Sequence, residues 1–352
     1  MTGKPKQRRR LVIVLLVLVG GLVVSFALAS AFGAATISLP DMFKMVLNKL
    51  AFFNFPETWR QSEETILFQI RMPRVVGGAL VGAALATAGV LFQGLLRNPM
   101  ADPYIIGTSS GAALGATIAM VLPVSMSFLG FGLVPAAAFG GALAAVFIVY
   151  NLARVGGKTP IVSMLLAGFV VSALLAAIIS FMMAISDRLD LNIRSVYSFL
   201  MGHISVIGWE QIAVIGPLVI IGIIIARTYA YHLNAFSLGE EGAAYLGIEV
   251  ERDKVIILAV GSLLTAAAVS IGGLIGFVGL VMPHAVRLLL GPDHRLLVPA
   301  SALAGAIFLV VADLLARVVL APTEIPVGII TAIVGAPFFL YLLRRSRKEY
   351  AF

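Results

Sequence analysis

The chain contains no cysteine, which excludes disulfides and thiolate metal sites. Charge is scarce as well. Asp, Glu, Lys and Arg make up 12% of the 352 residues, against 60% for the hydrophobic set. A soluble domain of this size carries about twice that share of charge and only about 45–50% apolar residues. Such an excess of apolar surface does not fit inside one core, so its natural solvent is lipid. Histidine is limited to His203, His232, His284 and His294, and only His284 falls within an apolar run, where it follows Pro283 and reads as a polar group satisfied inside the bundle. No His, Asp or Glu pair has metal-ligand spacing, and no catalytic constellation emerges.

What is present is a series of apolar runs, each near the roughly 20 residues that a bilayer crossing needs. About ten spans are expected, near 11–34, 71–96, 105–122, 131–154, 161–185, 207–231, 254–272, 274–291, 297–319 and 326–343. In lipid every backbone polar group must pair internally, which helices achieve. The fold class is therefore an all-α membrane protein, a compact bundle of transmembrane helices forming one domain over 1–352. The run from Leu11 to about Ala35 is longer than a signal-peptide core and reads as a retained first span. The net charge of +8 is concentrated in MTGKPKQRRR and LLRRSRK. Basic ends of this kind fit positive-inside anchoring better than nucleic-acid binding. Even parity places both termini in the cytoplasm, with Arg97, Arg154, Lys158, Arg252, Lys254 and Arg295 on the same side. Arg60, Arg71, Arg74, Arg188, Arg194 and Arg317 fall on the opposite side, against the rule. Residues 36–66 form an outer loop, and 186–206 hold a short amphipathic surface helix.

Small residues recur in nearly every span, for example Gly77, Gly78 and Gly82, then Gly107, Gly111 and Gly115. They let helices approach closely. GGALVGAALATAGVLFQG (77–94) and VGSLLTAAAVSIGG (260–273) share this pattern, as an inverted repeat would. Two apparent nucleotide motifs are decoys. GGKT (156–159) has Leu152 where a P-loop needs its first glycine, and GGLIGFVG (272–279) lies in a span without a βαβ context. Intramembrane carboxylates, the usual means of ion coupling, are few. Asp313 stands four residues before Arg317, the spacing of an intrahelical ion pair. Asp102 and Glu324 sit at span edges. With neither a nucleotide site nor free intramembrane acids, an external energy source is expected.

Several stretches resemble the FecCD-type permeases, membrane subunits of ABC importers for ferric siderophores, haem and vitamin B12. They are RMPRVVGGALVGAALATAGVLFQGLLRNPMADPYIIGTSSGAALGA (71–116), LGEEGAAYLG (238–247), GFVGLVMPHAVRLLLGPDHRLLVPASALAGA (276–306), and ADLLAR with EIPVGIITAIVGAPFFLYLL (312–317 and 325–343). The resemblance implies spans at 10–35, 71–185, 207–231 and 254–343, with a cytoplasmic coupling helix at 237–249. In that helix the matching positions are Gly239, Glu240, Ala243, Leu246 and Gly247. Ala243 and Gly247 are expected to form one smooth face, with Leu246 entering a groove of the partner.

The resemblance further implies a homodimer in the cell membrane, with a second copy of the chain across the pathway. Two cytoplasmic ATPase subunits bind below and carry ATP and magnesium, so this chain holds no cofactor or metal of its own. An extracytoplasmic substrate-binding protein docks above, against Arg71, Arg74 and Arg317. Asn98 and Met100 belong to one gate region and Ile161 and Val162 to the other, where a B12 permease of the family has small hydroxyl residues. The expected activity is import of a large metal chelate by alternating access, ferric siderophore first. The competing readings are an ion-coupled secondary transporter and a membrane receptor without transport.

Overall fold

The computed structural model describes residues 5–33, 37–49, 53–122, 127–128, 131–189, 192–206 and 208–346. The helices run α1 (Pro5–Ala31), α2 (Leu39–Lys49), α3 (Gln61–Thr65), α4 (Met72–Leu95), α5 (Thr108–Val121), α6 (Leu133–Ala153), α7 (Ile161–Ala184), α8 (Ile193–Leu200), α9 (Trp209–Thr228), α10 (Ala230–Phe236), α11 (Glu240–Tyr245), α12 (Val250–Gly272), α13 (Val278–Leu290), α14 (His294–Val318) and α15 (Val327–Ser346). The only strands among the described residues are a two-stranded hairpin, Ser127–Phe128 with Phe131–Gly132. Seven helical stretches are long and apolar enough to cross a membrane, and three shorter apolar helices lie within α5, α13 and α15. Together they match the spans read from hydropathy.

The helix leading into α4 begins earlier than the expected 71. It runs unbroken from Gln61 to Leu95, with a π turn at Ile66–Arg71 just before Pro73. Proline has no N–H to give to a preceding carbonyl. The π turn shifts the pairing, so that the Met72 N–H bonds to the Leu67 carbonyl. The Phe68 carbonyl, which the proline cannot serve, instead accepts from the Trp209 indole N–H at 2.8 Å. The loop expected over 36–66 contains α2 and α3. The surface helix expected within 186–206 is α8, capped by the Asn192 side chain accepting from the Ser195 N–H.

α4 and α12 are the most enclosed spans. α4 packs on α14, α13 and α12, and α12 in turn packs on α6 and α5. These partners correspond. α4 with α14 mirrors α12 with α6, and α5 with α6 mirrors α13 with α14. Both halves follow a long helix by a short one, 24 then 14 residues for α4 and α5, 23 then 13 for α12 and α13. The breaks before the short helices meet, because the Tyr104 hydroxyl donates to the Ile275 carbonyl and accepts from the Ile275 N–H. The architecture thus supports the repeat that 77–94 and 260–273 suggested.

The crossings depend on missing side chains. A Cβ at Gly82 of α4 would collide with the Gly305 carbonyl of α14, and one at Gly111 of α5 with the Gly141 carbonyl of α6. Gly140, one residue away, has open space around it. Replacing Gly82 by Leu should cost about 3 kcal/mol or more through overpacking. Gly140→Ala should be neutral or stabilising by up to about 1 kcal/mol through helix propensity. Melting temperatures of both variants in detergent check the contrast.

Candidate functional site

The polar side chains gather at the two ends of the apolar bundle. At one end the expected i,i+4 pair is present. Arg317 Nε bonds Asp313 Oδ2 at 2.9 Å, and Arg74 Nη2 of α4 bonds Asp313 Oδ1 at 2.9 Å. The outer Arg74 Nη1 reaches Glu324 at 2.9 Å. Asp313, 2% exposed, thus lies between two guanidinium groups. Arg71 Nη1 donates to the Ser30 and Ala31 carbonyls, and Arg317 Nη2 to the Ala29 carbonyl. Those carbonyls are C-terminal acceptors of α1 that no following helical turn serves, although Ala31 also accepts from the Ile37 N–H, and cations are favoured there by the helix dipole. His203 lies near the cluster. Burial pushes its pKa down, as does Arg74, while Glu324 and Asp313 pull the other way.

The three arginines expected to meet a binding protein are therefore largely used inside the chain. Arg71 and Arg317 are each 6% exposed and clamp the end of α1. Only the Arg74–Glu324 pair reaches the rim. The feature that sequence reasoning missed is the α1 cap, since its donors and acceptors lie 40 and 288 residues apart.

At the other end, α11 is a six-residue helix begun by Gly239 at φ +96°. The smooth face expected of Ala243 and Gly247 is not formed. Ala243 is 0% exposed and points into the protein, and Gly247 lies beyond the helix. The Gly247 N–H bonds the Ala244 carbonyl and the Ile248 N–H the Ala243 carbonyl, with Gly247 at φ +80°. That is a left-handed helix stop, which glycine adopts without strain. The outward surface is Tyr245, 90% exposed, with Leu246 beside it. Glu240 faces back toward α12, where Lys254 Nζ binds it at 2.7 Å and Glu251 at 3.0 Å. Glu251 also accepts from the Thr159 N–H at 3.0 Å. The neighbouring GGKT stretch is a tight turn, with Val155 bridged to Lys158 and both glycines at positive φ.

α10 is tied to the bundle as well. His232 Nδ1 pairs with Asp253 of α12. Asn234 bridges to α14, its Nδ2 donating to Asp293 at 2.8 Å while its Oδ1 accepts from the His294 N–H. His294, read as lying outside the spans, is the first residue of α14 and is buried. Burial opposes ionisation of Asp293, but the Asn234 amide and Arg295 N–H outweigh it and hold its pKa low. Gln93 spans the gap between α4 and α13, donating to the Gly279 and Leu280 carbonyls and accepting from Arg287 Nη2 at 2.9 Å. Gln93, Asn234, Arg287, Asp293 and His294 line a cavity of about 610 Å³.

The expected gate residues lie apart. Asn98 closes the turn after α4, its Oδ1 accepting from the Met100 N–H. Met100 lines a small pocket together with Leu280, His284 and Phe338. Ile161 opens α7 near Tyr150 and Leu258, and Val162 beside it is exposed. Between them, burial raises the Asp102 pKa, and the Tyr104 N–H pulls it back. No cluster of His, Cys, Asp or Glu among the described residues could hold a metal ion.

The family model of the FecCD transport family matches residues 21–345. The chain belongs to that family. A cobalamin import system permease of Halobacterium salinarum is 51% identical over 83% of this chain and 76% of that protein. The hemin transport system permease of Yersinia pestis is 40% identical over 84% of this chain and 89% of that protein. A solved structure, described as an inward-facing conformation of a metal-chelate type ABC transporter, superposes with a TM-score of 0.79. It shares 28% identity and covers 95% of this chain and 99% of that one. The chain is the permease subunit of an ABC importer, a multi-pass protein of the cell membrane. It is a transport subunit and not an enzyme, and ATP hydrolysis resides on separate chains.

Asp313 is the residue on which the first polar end depends. Asp313→Asn should leave Arg317 and Arg74 facing one another without their shared counter-charge, at a cost of about 3–5 kcal/mol. Thermal unfolding in detergent reads this directly. A melting temperature like that of the parent protein would show the cluster to be dispensable.

Proposed function

We propose that the permease carries a metal chelate into the cytoplasm by alternating access, as one half of a homodimer with two ATPase subunits below and a binding protein above. The observation that carries this reading is α11. A short helix with an aromatic knob, Tyr245, stands out from a chain that is otherwise apolar; Ala243 at its back is buried, and Glu240 ties it to Lys254 of α12. A knob on a rigid base suits insertion into a groove of the ATPase and transmits its motion as a rigid body. The α11 end also carries Arg97, Arg154, Lys158, Arg252, Lys254 and Arg295, which supports a cytoplasmic location for it and for both termini. ATP and magnesium belong to the partner, and this chain brings neither a cofactor nor a metal of its own.

Docking of the binding protein is assigned to the Arg74–Glu324 rim, where charges steer and orient more than they add affinity. The exposed outer face of α7, including Val162, Leu166, Phe169 and Val170, suits a second copy of the chain across the pathway. Ile161 and Val162 then form an apolar gate on that axis, with Asn98 and Met100 as the second gate region. Ion-coupled secondary transport has no support in the structure. Asp313, the carboxylate within α14, is committed to two guanidinium groups. As cargo, a corrinoid now precedes a siderophore, because the relative at 51% identity is a cobalamin permease.

Two measurements test this reading. Tyr245→Ala should lower ATP-driven uptake in proteoliposomes containing the full complex by about tenfold or more, while ATP hydrolysis continues and the spans stay folded. Unchanged uptake would remove the coupling role. With parent protein, labelled cobalamin should accumulate in preference to haem and to ferric siderophores. Accumulation of a siderophore alone would overturn the cargo order.

A further inference from the structure

The cavity at the α11 end contains charge that the chain does not balance. Arg97 and Arg287 line it, together with Gln93, Asn234, Asp293 and His294. Its one carboxylate, Asp293, is already engaged by the Asn234 amide and the Arg295 N–H. Arg287 gives Nη2 to a neutral amide, Gln93, and its Nη1 is buried with no hydrogen-bond partner among the described residues. Arg287 is half-buried, and a guanidinium partly withdrawn from water without a counter-charge favours an anion.

Arg97 adds an independent observation. It is exposed, and no ion pair holds it among the described residues. It occupies the left-handed stop of α4 at φ +50°, where the Asn98 N–H bonds the Gln93 carbonyl. Glycine is the usual residue there, because an L side chain is strained. Strain held without an ion pair among the described residues to offset it points to function. The guanidinium also lies next to Gly239, since a Cβ there would stand 3.4 Å from Arg97 Nη1. The cavity mouth and the coupling helix are therefore one continuous surface, and whatever grips Tyr245 covers both.

We propose that this cavity is a socket for an acidic side chain of the ATPase subunit, held by Arg97 at the rim and Arg287 deeper in. The proposal rests on the reading that α11 docks against the ATPase. It assigns a charge-based anchor beside the knob. An arginine pair in a partly enclosed cavity suits bidentate recognition of a carboxylate.

The test uses the permease in nanodiscs, titrated with its ATPase at several ionic strengths. Arg97→Gly removes the strain and the charge together. Its melting temperature should equal or exceed that of the parent, whereas its affinity for the ATPase should fall about tenfold and lose part of its salt dependence. Arg97→Lys should keep part of both. In the Arg97→Glu background, reversing one acidic residue of the ATPase should restore binding. Unchanged affinity and salt dependence in Arg97→Gly would overturn the socket. Affinity that follows the anionic lipid content, and no acidic residue of the ATPase, would overturn it in favour of a lipid headgroup. Tyr245→Ala in the same assay separates the two readings. If it alone weakens binding, the socket fails and the coupling helix stands, whereas if neither variant weakens binding, both fail.

Discussion

Everything in this bundle depends on backbones touching. In lipid, apolar side chains gain nothing by leaving their solvent for one another, so helices associate through close packing and polar contacts. α4 meets α14 at Gly82 and Gly305, and meets α13 at Gly89 and Gly279. α5 meets α6 in the same way at Gly111 and Gly141. At Gly82, Gly305, Gly89, Gly111 and Gly141 the nearest atom is a backbone carbonyl oxygen, which cannot rotate aside. The contacts are therefore stiff, and packed interfaces of this kind shift as units and do not deform continuously. A transporter needs such units, because a motion applied at one end must arrive at the other undiminished.

The polar ends decide where those units can move. At the Asp313 end the charges are consumed internally, and the two buried arginines fix α1 to the bundle by its last carbonyls. At the α11 end, short polar links join α10 to α12 and α14, the 154–160 turn to α12, and α11 to α12. α12 is thus the element into which a push on α11 is delivered. α12 also packs against α4, the other enclosed span, so the path from the coupling surface into the core has a single step.

Hydropathy made the spans legible because lipid solvation demands runs of a fixed length, and the Asp313–Arg317 pair was legible because both partners lie on one helix. The rejection of GGKT also held, since two adjacent glycines make the turn that the structure contains. What could not be read was direction. Spacing puts Arg71 and Arg74 near one face, but whether they point to a partner or to α1 depends on residues distant in the chain. Ala243 and Gly247 are four apart, yet the helix ends at Tyr245, so periodicity no longer applies between them. Arg287 carried a signal that went unused. It lies within the 276–306 motif and inside an apolar run, where a guanidinium needs a partner.

The contrast between the two ends bears on why the α11 end has charge to spare. A cation held wholly or partly out of water can be matched inside the chain or left for a partner to match. At the Asp313 end it is matched by a carboxylate that Arg74 and Arg317 share. At the α11 end Arg287 receives only a neutral amide, although Asp293 lines the same cavity and is bound to Asn234 and Arg295 instead. No ion pair joins Arg287 to Asp293 among the described residues. That absence leaves the permease with a site that becomes satisfied only when another chain covers it. Such a site makes docking sensitive to charge while the Tyr245 knob carries the mechanical load, so affinity and force transmission reside in different residues.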